Sequence, residues 1–136
     1  MFTPEQLTTI THGRLIGPET ASVSGISTDS RTIKPGELFI PLRGDRFDGH
    51  DYLNGLTERR IQVSLCNESW LQHQQPPATL SCIAVRDTLR ALGDLAAAFR
   101  KRFALTMIGV TGSNGKTTTK EMLAAILGQV DQGLKT

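Results

Sequence analysis

MIGVTGSNGKTTTKEM spans Met107 to Met122, and its reading decides the architecture of this part of the chain. Ala104 to Val110 is a short, nearly continuous apolar run. Such a run predicts a strand buried on both faces of a parallel sheet. Gly112 and Gly115 then punctuate a turn, and Met122, Leu123, Ile126 and Leu127 recur as the predicted buried face of a following helix. Strand, glycine turn, Gly115-Lys116-Thr117 and helix make a phosphate-binding loop. Glycines let successive N–H groups converge on an anion, and the helix aims its positive end at the same point. Lys116 is placed to reach the β- and γ-phosphates, and the Thr117 hydroxyl to ligate a bridging Mg²⁺. Thr118 and Thr119 add hydroxyls in the first helical turn, one of them within reach of an α-phosphate. Gly112, Ser113, Asn114, Gly115, Lys116, Thr117 and Thr118 are therefore the candidate nucleotide-binding set, with Lys116 and Thr117 as the catalytic candidates. The strict G-x-x-x-x-G-K-[ST] template fails by one residue, because Val110 stands where it wants glycine. A dinucleotide fingerprint fits worse, since G-x-G-x-x-G is absent.

Upstream of the loop, Leu89, Leu92, Ala96, Phe99 and Phe103 recur at three- and four-residue steps and predict a helix with a core-facing stripe. Ile61 to Cys66 and Ser81 to Val85 read as buried strands, with ESWLQHQQPPATL as a loop between them. Asp51 to Arg60 reads as helical, and GDRFDGH at Gly44 to His50 is a polar loop. Leu38 to Leu42 reads as a strand whose Pro41 argues for an edge or a bulge. Lys34-Pro35-Gly36-Glu37 signals a turn, and Ser22 to Thr28 alternates weakly. Thr3-Pro4-Glu5-Gln6 carries a capping box with proline at the first helical position, and Gly13 is read as the helix stop.

The expected organisation is α/β. Residues 1–86 form a small mixed domain and 87–103 a connecting helix. Residues 104–136 begin a parallel-sheet nucleotide-binding domain, with its first strand, phosphate loop and helix. One strand and one helix cannot close a doubly wound sheet, so the sequence is expected to be part of something longer. The 136 residues carry a net charge of +2, with 38% hydrophobic and 21% charged residues, the profile of a soluble globular chain. Aromatic content is 5%, and the densest basic cluster is Arg100-Lys101-Arg102, a reading that favours a solvated helix end over nucleic-acid binding. Cys66 and Cys82 lie in apolar runs without metal spacing and are predicted to be buried free thiols, which suits a reducing cytoplasm. No stretch is long and apolar enough to insert in a membrane, and no signal pattern opens the chain. His12, His50 and His73 are isolated and none is read as a catalyst, and Trp70 is read as partial core or loop packing.

Residues Thr111 to Thr118 fit T-G-[ST]-x-G-K-[ST]-[ST], the form that resembles the loop of the Mur ligases. These are ATP-dependent enzymes that build the peptide stem of the bacterial cell wall. Ser27-Thr28-Asp29-Ser30-Arg31, Lys34 to Phe39 and Gly44 to Asp51 resemble the N-terminal UDP-binding domain of the same family, so the likeness runs from about residue 20 to 128. Ser113-Asn114 and Thr119 to Met122 look most like the branch that joins D-alanyl-D-alanine to UDP-N-acetylmuramoyl-tripeptide. The sister branch, which adds the third stem residue, tends toward a Thr-Asn-Gly-Lys version.

The resemblance implies an acid–amino-acid ligase that uses ATP and Mg²⁺ and passes through an acyl phosphate. Its substrates would be UDP-N-acetylmuramoyl-tripeptide and D-alanyl-D-alanine, and it would act as a cytoplasmic monomer. The implied UDP contacts are Thr28, Ser30, Gly44, Asp45, Arg46 and Phe47. Serine and loop backbone suit the donors and acceptors of uracil, and Arg46 or loop N–H groups suit a diphosphate. Asp29 reads equally well as a turn cap, and Arg31 as a local ion-pair partner. The 136 residues alone are expected to be inactive, because the family's further metal ligands, modified lysine and C-terminal domain are not among them. Two alternatives stay open: the sister ligase, and a non-catalytic module that binds a UDP-sugar or nucleotide.

Overall fold

Thr3 caps the first helix as its spacing predicts. In the computed structural model, which describes residues 1–19, 22–104 and 106–129, its hydroxyl accepts the Gln6 N–H at 3.2 Å and its own N–H is taken by Gln6 Oε1 at 3.0 Å. Helix α1 (Pro4–Thr11) follows, and the left-handed position that ends it is His12 at φ 51°, not Gly13. Strands β1 (Arg14–Ile16), β2 (Gly25–Ser27), β3 (Glu37–Phe39), β4 (Val63–Asn67) and β5 (Ser81–Val85) form one sheet in the order β1-β5-β4-β3-β2. The first pairing, β1 with β5, is antiparallel, and the other three are parallel.

The strand read at Leu38–Leu42 is shorter than predicted, and it is interior. β3 pairs with β2 on one side and β4 on the other, and it stops before Pro41, so the missing N–H falls beyond the ladder. Asp51–Arg60 is not one helix. A 3₁₀ turn at Gly49–Tyr52 leads into the single turn α2 (Leu53–Leu56), which fits the poor helix propensity of Gly55. Another one-turn helix, α3 (Glu68–Leu71), starts where Asn67 accepts the Ser69 N–H, in a stretch read as loop.

Alternation along β4 and β5 supplies both faces of the sheet. Leu38, Val63, Leu65, Ile83 and Val85 meet Leu7 of α1 and Ala91 and Leu95 of the long helix α4 (Thr88–Arg100). Phe39, Cys66 and Cys82 face the other way, against Ile33, Leu53, Leu56 and Ile61. Cys66 and Cys82 are buried free thiols, as their apolar context predicts. The neighbouring Cys82 thiol and burial together push the Cys66 thiol up.

The predicted stripe of α4 is buried only in part, and the buried face is shifted toward Thr88, Ala91 and Leu95. Thr88, Ala91 and Leu95 are buried, and Leu92 of the predicted stripe packs half-buried against the same core, whereas Leu89 is 65% exposed and Ala96 is exposed. Phe99 and Phe103 are exposed in part, and the Phe99 ring meets the buried Phe2 edge-on at 6.3 Å. Two polar contacts set that phase. Asp87 accepts the Arg90 N–H at 2.9 Å, and the Thr88 hydroxyl donates to the Pro41 carbonyl at 2.6 Å. Counting apolar residues misses a threonine that is buried for its hydrogen bond. Thr88→Val keeps the shape but leaves that carbonyl unpaired. It should lower stability by about 1–2 kcal/mol in chemical denaturation with an unchanged m-value.

The chain divides into two compact units, Met1–Phe103 and Ala104–Thr136, so α4 packs as part of the first. In the second unit, the strand expected over Ala104 to Val110 is not formed at residues 106–110, and Met107 is 66% exposed. A parallel strand takes its ladder from neighbouring strands, and among the described residues no strand is paired with these. Helix α5 (Lys116–Leu127) forms, but of the face that the sequence predicts as buried, Met122, Ile126 and Leu127 are exposed and Leu123 is half-buried. Residue 105 and residues 130–136, which belong to the expected nucleotide-binding segment, lie outside the described residues.

Candidate functional site

The loop before α5 takes its shape from two glycines. Gly112 at φ 145° and Gly115 at φ 75° occupy backbone that side chains other than glycine's disfavour. Gly115 is the N-cap of α5 and brings no side-chain cap, so the first N–H groups of the helix are left without a side-chain acceptor. Helical bonding begins with the Thr119 N–H on the Gly115 carbonyl at 2.9 Å. Lys116 opens the helix, and its ammonium folds back to donate to the Gly112 carbonyl. Ser113 and Asn114 form the exposed tip, and Thr117 and Thr118 lie exposed on the first turn.

The structure thus brings together the whole set predicted from Gly112 to Thr118. No acidic residue stands between Thr111 and Lys120. Helix-start amides that the N-cap leaves uncapped, one ammonium and three hydroxyls with no carboxylate fit a polyphosphate. Thr117 offers one oxygen to a metal bound with it. Among the described residues, no three His, Cys, Asp or Glu side chains cluster to hold a metal by themselves.

In the first unit, β2, β3 and β4 end at one edge of the sheet, where ligands of parallel sheets bind. The turn after β2 carries Thr28, exposed, and Ser30, half-buried. Asp29 caps this turn by accepting the Arg31 N–H at 2.9 Å, and it pairs with the Arg31 guanidinium at 2.8 Å. That guanidinium holds the Asp29 carboxyl at about 2, and Arg31 in turn is raised. Ser30 lines a cleft of about 350 Å³ together with Arg31, Asp51, Tyr52, Leu56 and Arg59. Arg59 anchors the cleft wall by donating to the Arg31 carbonyl at 2.9 Å.

Sequence reading missed Tyr52 and Arg59. Their steps to Leu56 are four and three, the helical spacing that would have flagged one face. Gly44, Asp45, Arg46 and Phe47 do not line that cleft. They form the exposed tip of a hairpin after β3, closed by an Arg43–Asp48 bridge and by the Gly44 N–H on the Phe47 carbonyl at 3.0 Å. The implied UDP set is therefore divided: Ser30 lines the cleft, Thr28 lies exposed in the turn beside it in sequence, and residues 44–47 form the hairpin tip.

The stem of that hairpin is held by a connected set of polar contacts. Asp48 Oδ2 takes Arg43 at 2.7 Å, and Asp48 Oδ1 takes the His50 N–H at 3.0 Å and lies 2.6 Å from His50 Nδ1. Partial burial alone would raise the Asp48 carboxyl. The bonds from the His50 backbone and ring and from Arg43 outweigh it and hold the carboxyl at about 2.

Residues 22–100 match the family described as Mur ligase family, catalytic domain, and residues 110–136 match the Mur ligase middle domain. The UDP-N-acetylmuramoyl-tripeptide–D-alanyl-D-alanine ligase of Bacillus subtilis is 41% identical over 93% of this chain and 27% of its own length. The UDP-N-acetylmuramoyl-L-alanyl-D-glutamate–2,6-diaminopimelate ligase of Chlorobium phaeobacteroides is 43% identical over 77% of this chain and 20% of its own. A crystal structure of MurF from Acinetobacter baumannii superposes with a TM-score of 0.78 at 37% identity, over 95% of this chain and 28% of that one. MurF ligase from Thermotoga maritima, solved in complex with ADP, gives 0.66 at 28% identity over 77% of this chain and 23% of that one. The chain thus spans about a quarter of the length of the relatives it matches. No helix among the described residues is long and apolar enough to cross a membrane.

Proposed function

The chain belongs to the Mur ligase family, and from that membership we propose that it supplies the UDP-recognition domain and the phosphate loop of a ligase for peptidoglycan precursors. The ligase joins D-alanyl-D-alanine to UDP-N-acetylmuramoyl-tripeptide in the cytoplasm, as a monomer, using ATP and Mg²⁺. The observation that carries this reading is the 41% identity to the Bacillus subtilis D-alanyl-D-alanine ligase, which runs across both units of the chain. The sister reading, addition of the third stem residue, draws on the 43% identity to the Chlorobium diaminopimelate ligase over a shorter stretch. The whole enzyme decides between them. Product mass after incubation with ATP, Mg²⁺ and each matched pair of nucleotide precursor and amine shows which amine is taken up.

Each unit has its own task in this division. Residues 1–86 hold the UDP part of the substrate, 87–103 connect, and 104–136 open the ATP-binding domain. Gly112 to Thr118 cradle the nucleotide phosphates, Lys116 neutralises charge at the γ-phosphate, and Thr117 gives its hydroxyl to Mg²⁺. ATP supplies the activation of the tripeptide carboxylate as an acyl phosphate. The part of this chain in that step is positioning and charge stabilisation, which is most of what phosphoryl transfer asks of a protein. By themselves these 136 residues bind but do not ligate.

Ser30, Thr28 and the Gly44–Phe47 tip are the proposed UDP contacts. Ser30→Ala in the whole enzyme should raise KM for the UDP-linked peptide about five- to tenfold with kcat little changed. A single neutral hydrogen bond is worth roughly that ratio, and an interaction equal in ground and transition states acts on KM. A fall in kcat with KM unchanged would place this serine away from the UDP.

A further inference from the structure

We propose that His50 is a positioning residue for nucleotide recognition, joining the Arg43–Asp48 hairpin to the carboxyl end of β4 through its two ring nitrogens. The proposal rests on reading the Gly44–Phe47 tip as a UDP contact. His50 is 3% exposed, and both nitrogens are engaged. The Asn67 backbone N–H donates to Nε2 at 3.0 Å, so Nε2 must present its lone pair. Nδ1 therefore carries the proton and donates to Asp48 Oδ1 at 2.6 Å. One neutral tautomer serves both bonds, and neither can be reversed without leaving a buried group unpaired.

The two partners belong to different elements. Asp48 closes the hairpin, where it also binds Arg43, and Asn67 is the last residue of β4 and the N-cap of α3. Trp70 of α3 stacks on the imidazole, with centroids 5.3 Å apart and planes at 23°, which fixes the ring plane. The result is a serial link from the sheet to the base of the exposed tip that carries Arg46. Arg43 pairs with Asp48 through two of its nitrogens and so braces the base of the tip. A tip held in place before binding loses less freedom on binding, and preorganisation of this kind appears as affinity.

The experiment uses the 136-residue chain, whose first unit carries its own core on both faces of the sheet. UDP is titrated calorimetrically into the wild-type chain and into His50→Phe, which keeps a ring against Trp70 and loses both hydrogen bonds. Affinity should fall about tenfold, the loss expected when a contact loop is no longer held before binding. Amide exchange should accelerate at Gly44 and Gly49, whose N–H groups close the hairpin, and stay slow at Leu65 and Ile83 in the core strands. His50→Asn and His50→Gln guard against a His50→Phe chain that fails to fold. Asparagine reaches Asp48 only, and glutamine reaches the Asn67 N–H only. A serial link breaks at either end, so both should weaken UDP binding. UDP affinity equal to wild type in the folded variants would overturn the proposal. So would core amides that accelerate in step with Gly44, because His50 would then be a general core group. A wild-type chain that binds no UDP would overturn the UDP reading, and this proposal with it.

Discussion

Lys116→Ala in the whole enzyme should lower kcat by about 10²-fold or more while leaving the fold intact. The two halves of that expectation have separate causes. Lys116 is exposed at the first position of α5 and donates to the Gly112 carbonyl across the loop, a surface contact on which little stability depends. That bond shows how far the ammonium reaches: over the mouth of the glycine turn, where a polyphosphate would lie. Removing one preorganised donor from a developing charge typically costs about 10²–10³ in rate. Lys116→Arg should not rescue, since a planar fork cannot replace a compact charge at a turn built around an ammonium. The measurement is ATP-dependent phosphate release at saturating substrates, with circular dichroism as the fold control. Turnover within a few-fold of wild type would remove Lys116 from the reaction and the loop from its assigned role.

That prediction was open to sequence reading because a glycine turn is a local object. Gly112, Gly115 and Lys116 are neighbours in the chain, and the backbone angles that only glycine takes easily are set within a few residues. The same holds for the Thr3 capping box and for Ser81–Val85, an apolar run found as a strand with the same bounds. What failed depended on partners distant in sequence. The run at 106–110 has strand composition but takes no strand pairing, since composition supplies no neighbouring strand. The phase of α4 turned on a threonine bonded to Pro41, far upstream. The cleft around Ser30 was half legible. Its serine sits in a recognisable turn, but Tyr52 and Arg59 arrive from a segment whose helix breaks into a 3₁₀ turn and a single α-turn. The positioning role proposed for His50 had no signal in the sequence. An isolated histidine carries no motif spacing, and its two partners, Asp48 and Asn67, are named only by the fold.

Gly49→Ala should destabilise the first unit by about 2–4 kcal/mol and weaken UDP binding in the same variant, and the reason lies in that fold. A Cβ on Gly49 would come within 2.8 Å of Leu42 N and Pro41 Cα and 2.9 Å of the Leu42 carbonyl oxygen. All three are backbone atoms, so no side chain can swing aside. Overpacking costs about 1–3 kcal/mol in general, and more where nothing yields. The Gly49 N–H also donates to that Leu42 carbonyl at 2.9 Å, and the displacement that relieves the clash lengthens the bond, adding about 1 kcal/mol. The strain falls between two anchored points: Pro41, whose carbonyl holds Thr88 of α4, and His50, whose ring holds Asn67. Neither can follow the shift without losing a buried hydrogen bond, so the hairpin between them must absorb it. Urea denaturation measures the stability loss, and UDP titration well below the transition measures the effect on binding. A variant as stable as wild type would show that the Pro41–Leu42 backbone moves freely, and the hairpin would then not be the rigid element on which the role of His50 depends.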